Sequence, residues 1–307
     1  MIEKILNLEN NNILITGTGG MLGNDFMEIL KNIKSNVISL NKEKLDVTEI
    51  EQVMDCAKYK PDIIIHCAAK VDADYCEEDK EYCKNVQLIG TKNIIKLAKS
   101  VDAMLFYPQS FLIFDGTEHI YEETRPNPLN YYGKMKYESE KAILSELNNS
   151  LIVRMAGFFG GYHLDKNFVG KFTKHLSSIF SNSISIQEVG DRVWQPTWTK
   201  DLAYNSLVLI ANRKNGIYNM ASHGSASFYD VAVHIVKCLN LEKHFIIKKV
   251  SSKKMVQMEK AIRPSHAYMH NKFLSLESID FQRDWKDSLS EYLNNDYFKE
   301  LFNENNF

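Results

Sequence analysis

In the segment 131–141, YYGKMKYESEK, two tyrosines are each followed four residues later by a lysine: Tyr132 by Lys136, and Tyr137 by Lys141. On a helix, residues four apart lie one above the other on the same face. A phenol beside an ammonium can act as a proton donor. Its unperturbed pKa is about 10, and the neighbouring cation stabilises the phenolate and lowers that value towards the working range. Such a pair suits a reaction in which hydride reaches a carbonyl carbon and the oxygen takes a proton. A hydroxyl from another segment should hold and polarise the carbonyl. Ser110 meets that need, because it follows an apolar run at 104–107 that reads as a strand, and open α/β sheets carry function at strand ends. Spacing alone does not choose between the two pairs.

Hydride implies a nicotinamide dinucleotide, and the sequence offers a place for one. The apolar run NILIT at 12–16 ends in Gly17-x-x-Gly20-x-x-Gly23, and Met21, Leu22, Phe26, Ile29 and Leu30 then follow with helical spacing. Glycines in this arrangement permit a tight turn, let the backbone approach a pyrophosphate and allow close packing of helix on strand. The helix start then offers free N–H groups to the phosphates. A site specific for NAD places an acid at the end of the second strand. Here VISL at 37–40 is followed by Asn41 and Lys42, a neutral residue and a cation. That combination favours a ribose 2′-phosphate, so NADP(H) is the expected cofactor and NAD(H) stays open.

These residues need elements to position them. Beyond the first strand and helix, the pattern predicts a helix over 50–58, a strand over 62–67 (DIIIHC), a helix over 83–100, a strand from 104, a helix over 131–147 and a strand over 151–155. Apolar residues on both faces of a short run suit a parallel sheet, and alternation of strand and helix argues for a doubly wound α/β architecture. The expected fold is a Rossmann-type parallel sheet with a smaller C-terminal substrate-binding lobe. Residues 1–160 form the dinucleotide-binding domain and 161–307 mainly the lobe. Strands expected at 184–187 and 217–220 make segments within about 184–220 return to the sheet, and a helix is expected over 228–239.

Composition narrows the class. The chain has 307 residues, 44% of them hydrophobic and 25% charged, with a formal net charge of -2, which gives no reason to expect nucleic acid as a partner. Lys243, Lys248, Lys249, Lys253 and Lys254 cluster locally and read as a solvated face. The first residues contain no long apolar core of a secretory signal, and no run approaches 18 apolar residues, so neither export nor a membrane partner is expected. The five cysteines are odd in number and lack C-x-x-C spacing, which suits free thiols in a reducing cytoplasm. His266 and His270 lie four apart but without an H-E-x-x-H glutamate, so no metal is expected.

Together, Gly17-x-x-Gly20-x-x-Gly23, Ser110 and Tyr132-x-x-x-Lys136 resemble the extended short-chain dehydrogenase/reductase superfamily, and within it the dTDP-4-dehydrorhamnose reductases and their sugar-nucleotide relatives. LDVTE at 45–49, IIHCAAKVDADYCEED with Asp74 and Glu77, YEETRPNPLNYYGKMKYESEKAI, Arg154, QPTWTKDLA, GIYNMAS, Arg263-Pro264 and DWKDSLSEYL carry the resemblance nearly to the C-terminus. The family's tyrosine follows Pro-Leu-Asn-x and precedes Gly-Lys. Tyr132 does both, which selects Tyr132 and Lys136 over Tyr137 and Lys141. The resemblance implies that Tyr132 is the proton donor, that Lys136 binds the nicotinamide ribose and tunes the tyrosine, and that Ser110 contacts a 4-keto oxygen. It implies cofactor contacts at Gly20, Met21, Leu22, Asp46, Val47, Ala68, Ala69 and Lys70. Arg263 is either an anchor for substrate phosphates or part of a structural salt bridge. The implied activity is NAD(P)H-dependent reduction of the 4-keto group of a nucleotide-linked sugar for surface polysaccharide or glycoconjugate synthesis, by a cytoplasmic protein that could form a homodimer.

Three departures fall in the expected sugar pocket, whose residues are Ser110, Phe111, Tyr132, Gly157 and Arg263. Where the family usually reads Ser-Thr-Asp-Tyr-Val-Phe-Asp-Gly, this chain has Gln109-Ser110-Phe111-Leu112-Ile113-Phe114-Asp115-Gly116, so Phe111 replaces an acid. Gly157 stands where the family has a tryptophan, and Trp194 where it has a small residue. The hydride machinery is intact, and the identity of the sugar is left open. Two alternatives stand beside the reductase: a sugar-nucleotide epimerase or dehydratase, and a non-catalytic NADP-binding regulatory subunit like that of methionine adenosyltransferase.

Overall fold

The structure is a computed structural model and describes residues 2–117, 119–252 and 259–302. Lys253 and Lys254 of the expected basic face lie outside the described residues. The apolar runs fold as strands β1 (Asn12–Thr16), β2 (Asn36–Leu40), β3 (Ile63–His66), β4 (Met104–Ser110) and β5 (Ser150–Met155). With Gly216–Met220 they make one six-stranded sheet, every neighbouring pair parallel, in the order β2, β1, β3, β4, β5, Gly216–Met220. The connecting helices are α1 (Met21–Leu30), α2 (Ile50–Asp55), α3 (Ala73–Glu78), α4 (Lys80–Lys84), α5 (Gly90–Val101) and α6 (Tyr131–Glu146). A π-helical turn, Asn85–Ile89, joins α4 to α5.

Burial on both faces fixes the sheet. Ile13, Ile15, Phe26 of α1 and Phe106 pack on one side with Leu207 and Leu209 of the helix Thr199–Ala211. Leu14, Ile64, Leu105 and Ile152 pack on the other with Val53 of α2 and Ile94 and Leu97 of α5. The chain winds outward from β1 to β2 and, in the other direction, from β1 to β3, β4 and β5. The crevice at the carboxyl ends of β1 and β3 is therefore the topological switch point, where such sheets bind ligands.

One expected segment departs from this scheme. Ser185–Gly190 is a strand, yet it does not return to the central sheet; it pairs in parallel with Phe245–Val250. Its burial alternates over its first four residues, with Ile186 63% exposed, so it lacks the two-faced burial that a central parallel strand needs. Only Gly216–Met220 of the expected later strands joins the sheet. The lobe has its own core of Phe159, Val169, Phe172, Trp198, Ile235, Leu289 and Tyr292. Its helix Phe228–Cys238 starts at a capping box formed by Ser227 and Asp230.

Candidate functional site

The turn after β1 is built by close approach. Gly17 has φ 72°, and a Cβ there would lie 2.6 Å from the Ala68 backbone nitrogen. A Cβ on Gly23 would lie 2.6 Å from the Gly17 carbonyl oxygen. Both positions therefore require glycine. Gly20 is the N-cap of α1 and offers no side-chain cap, so capping leaves the first-turn N–H groups unclaimed. Gly17 N donates to the Leu40 carbonyl at 2.8 Å, and Asn41 lies beside Gly19, so the ends of β1, β2 and β3 converge on this turn. Glycines that exclude any side chain, followed by an open helix start, fit a dinucleotide pyrophosphate.

Of the other expected cofactor positions, Ala68 packs against Gly17. Lys42 is exposed and its Nζ donates to the Tyr82 hydroxyl at 2.9 Å. Asp46 spends one carboxylate oxygen on Thr48, accepting from its N at 2.9 Å and its Oγ1 at 2.7 Å. Val47 is buried against Gly90, and its carbonyl accepts from Asn93 Nδ2 at 3.0 Å. Ala68 N donates to Thr16 Oγ1 at 3.2 Å. Ala69 and Lys70 are half-buried, with Lys70 Nζ 3.8 Å from the centre of the Tyr75 ring.

The motif before Tyr132 has a plain structural purpose. Asn130 caps α6: its Oδ1 accepts from Gly133 N at 2.8 Å and its Nδ2 donates to the Ile262 carbonyl at 2.8 Å. Gly133 passes so close to the Leu112 carbonyl that any side chain would overlap it. Tyr131 N donates to Glu77 Oε1 at 2.7 Å. These contacts tie the start of α6 to Ile262 and to Glu77 of α3, and the Gly133 approach seats it on the segment after β4, next to Ser110.

Tyr132 and Lys136 are both buried, 6% and 3% exposed. Burial, and after it the Cys76 thiol, raise the Tyr132 phenol above its ordinary value, while a hydrogen bond between its side chain and that of Ser110 pulls it down. Burial pushes Lys136 down to about 7, against the opposing charges of Cys67 and Glu140. Lys136 Nζ donates to the Pro108 carbonyl at 2.7 Å and lies 3.8 Å from the centre of the Tyr107 ring. The expected lowering of the tyrosine by its lysine is thus not what this arrangement produces. Burial dominates both groups, and the ammonium is directed at Pro108 and Tyr107.

Behind these three residues lies a buried polar network that the spacing of motifs did not reveal. Gln109 Oε1 accepts from Ser110 N at 2.8 Å, and its Nε2 donates to the Lys136 carbonyl and to Glu140 Oε2, both at 3.0 Å. Glu140 in turn holds Arg154 with two bonds. A signal existed: Glu140 lies four residues beyond Lys136 on the same helical face.

Arg263 takes part in a salt bridge. Its Nη1 and Nη2 bind the two oxygens of Asp74 at 3.1 and 2.8 Å, and Asp74 also accepts from Ala261 N at 2.8 Å. Tyr137 and Lys141 form an ordinary surface pair: Lys141 is bonded to Glu138 at 2.8 Å and lies 5.0 Å from the Tyr137 ring centre. Phe111 and Gly157 lie side by side at the ends of β4 and β5, near Ser110.

The parallel sheet with its flanking helices is the fold of the extended short-chain dehydrogenase/reductases, and the protein falls in that class. Within the class, residues 11–298 match the RmlD substrate binding domain family, and the chain belongs to it. A Streptomyces niveus protein named dTDP-4-keto-6-deoxy-D-glucose reductase is 29% identical, over 71% of this chain and 75% of its own. The crystal structure of dTDP-4-dehydrorhamnose reductase from Bacillus anthracis in complex with NADP superposes with a TM-score of 0.84 at 27% identity, covering 92% of this chain and 99% of that one. Methionine adenosyltransferase 2 subunit beta of Xenopus tropicalis is 27% identical over 78% of this chain and 76% of its own.

Proposed function

We propose that this protein uses NADPH to reduce the 4-keto group of a dTDP-linked deoxysugar, in the cytoplasm, for surface polysaccharide or glycoconjugate synthesis. The broader class is an NAD(P)H-dependent oxidoreductase. Two of its relatives carry names of dTDP-linked 4-keto sugar reductases, and one of these was solved with NADP. The observation that carries the reading is the buried pair of Tyr132 and Lys136, one turn apart on α6, with the Ser110 hydroxyl near the phenol, in a sheet whose first strand ends in a glycine turn that admits no side chain.

A nicotinamide dinucleotide bound at that turn supplies the hydride. Gly17, Gly20 and Gly23 would let the backbone approach its phosphates, and Met21 and Leu22 would offer their N–H groups at the uncapped start of α1. The neutral Asn41 and the exposed Lys42 suit a 2′-phosphate. Ser110 donates its hydroxyl to the keto oxygen and orients it. The Tyr132 phenol, which burial keeps protonated at neutral pH, gives its proton to the developing oxyanion. Lys136 Nζ, held by the Pro108 carbonyl over the Tyr107 ring, would bind the nicotinamide ribose. The low exposure of both side chains keeps water from competing for that proton.

Incubation with NADPH and a dTDP-4-keto-6-deoxyhexose tests the reading. Stoichiometric loss of NADPH absorbance with formation of the 4-hydroxy sugar supports it. Conversion of the sugar without net NADPH use would instead mark an epimerase or dehydratase. Binding of NADPH with no turnover of any keto sugar nucleotide would mark a regulatory subunit like that of methionine adenosyltransferase.

A further inference from the structure

Tyr132 is 6% exposed, so as the chain stands its phenol is shut off from a substrate. A keto oxygen must come within hydrogen-bond reach of that hydroxyl to take its proton, so part of the wall around it has to move. The side chains clustered with Tyr132 are Ala73 and Cys76 of α3, Cys83 of α4, Met135 of α6, Leu112 and Ala261. All but Ala261 sit on helical elements, Leu112 in the short 3-10 turn Phe111–Ile113 after β4. Ala261 belongs to a stretch, 259–268, that forms neither helix nor strand.

The start of that stretch is held by polar ties more than by packing. Of residues 259–263 only Ala261 is buried, and Ile262 is exposed. Glu259 accepts from both Nη groups of Arg192 at 2.9 and 2.8 Å. On α3, Asp74 accepts from Ala261 N at 2.8 Å and from Arg263 at 3.1 and 2.8 Å, and Glu78 pairs with Lys260. The Ile262 carbonyl accepts from Asn130 Nδ2, a bond separate from the Oδ1 cap that holds the start of α6. Pro264, by contrast, is buried and seated on Gly116, where a Cβ would lie 2.6 Å from that of the proline. Residues 259–263 are thus pinned at one end and otherwise tied by partly solvated charges. Segments with so few buried apolar contacts open at low cost, and such movements commonly admit substrate and then exclude water.

We propose that residues 259–263 are a gate over Tyr132: closed, they cover the phenol, and they swing away from α3 about Pro264 to admit the keto sugar. The latch is Asp74 with Ala261 N and Arg263. Opening breaks the Asn130 bond to Ile262 but leaves its cap on Gly133, so the Tyr132 helix keeps its place. The proposal rests on the reading of Tyr132 as proton donor to a keto sugar nucleotide.

The test uses the double variant Asp74→Cys/Arg263→Cys, which removes the latch and offers two thiols to a short bismaleimide. Each single variant, treated alike, controls for modification elsewhere. Before cross-linking, the double variant should reduce a dTDP-4-keto-6-deoxyhexose with NADPH. Once locked, its kcat/KM should fall at least about tenfold, while NADP+ affinity by fluorescence titration stays within about twofold. Locked protein that turns over as fast as the same variant before cross-linking overturns the gate. Hydrogen exchange on wild type, followed by NMR, reads the motion without turnover. The Ala261 amide, although hydrogen-bonded to Asp74, should exchange on the order of 100-fold or more faster than amides in the middle of α6. Equal exchange rates at the two places overturn the gate as well. Fast exchange at Ala261 in a wild type that reduces no keto sugar nucleotide supports the opening and overturns the functional reading alone.

Discussion

Glu140 and Arg154 form a two-pronged ion pair inside the protein, with Arg154 Nη2 2.6 Å from Oε1 and Nε 3.2 Å from Oε2, and side chains 2% and 3% exposed. Arg154 also donates through Nη1 to the Glu122 carbonyl at 3.0 Å, and Gln109 donates to the other side of Glu140. The pair joins the middle of α6 to β5 and, through Gln109, to the backbone of Ser110. Its value lies less in net stability than in fixing where the Tyr132 helix sits relative to the Ser110 strand, because a buried pair roughly offsets its own desolvation.

Removing one partner should expose that asymmetry. Glu140→Gln leaves the Arg154 guanidinium buried without its counter-charge, at a cost of about 3–5 kcal/mol. Urea denaturation should show that loss, and the double variant Glu140→Met/Arg154→Leu should recover most of it. A double variant as unstable as the single one would contradict this account of the pair.

Gly133 is the tightest point between α6 and the loop after β4. Gly133→Ala must push the helix start away from the Leu112 carbonyl, with a destabilisation of about 1–3 kcal/mol. Because Tyr132 is the adjacent residue, kcat/KM for the keto sugar should fall at least about tenfold, as a misplaced reacting group does. Unchanged activity and stability would mean that the approach is looser than described.

Lys136 gives a pH signature. Its folded value is lowered from 10.5 to about 7 by burial. Below about 7 it is charged in both states and the burial penalty is present in full. Between about 7 and 10.5 the unfolded chain binds more protons than the folded one, so this contribution makes stability rise with pH. Lys136→Met should therefore be most stabilising below neutrality, and its advantage in Tm should shrink towards pH 10. An advantage that is constant across that range would place the folded value near its ordinary one.

Lys42 is exposed, and its hydrogen bond among the described residues is to the Tyr82 hydroxyl, so it can turn to a 2′-phosphate at little cost. Lys42→Ala should raise KM for NADPH about two- to fivefold, the scale of one exposed ion pair, and leave KM for NADH unchanged. A strong NADH preference that the substitution does not alter would remove the argument for NADP.

The sequence made the nucleotide-binding half readable because its strands are short apolar runs ended by glycine or polar residues, and α1 carries a clean helical stripe. It was less informative where periodicity vanishes. The helix Thr199–Ala211 is buried on almost every side, so it shows no polar face to mark it as helical. β4 extends through Pro108 to Ser110, although proline is unusual within a strand. Here its carbonyl receives Lys136. The strand at 185–190 was legible as a strand but not by partner, since pairing depends on Phe245–Val250, far along the chain. In the site, the Tyr132 motif was visible and the reasons for it were not. Asn130 and Gly133 act through contacts with Ile262 and Leu112, and Gln109 makes three bonds that its place at the end of β4 does not announce.

The central claim is that Tyr132 delivers the proton, and Tyr132→Phe tests it most directly because the change removes one oxygen from a buried ring. With NADPH and the keto sugar nucleotide, kcat should fall by roughly 100-fold or more, the scale of losing a general acid. NADPH affinity, measured by fluorescence titration, should stay within about twofold, since ring packing at the cofactor is retained. Turnover at the wild-type rate in Tyr132→Phe would contradict the account.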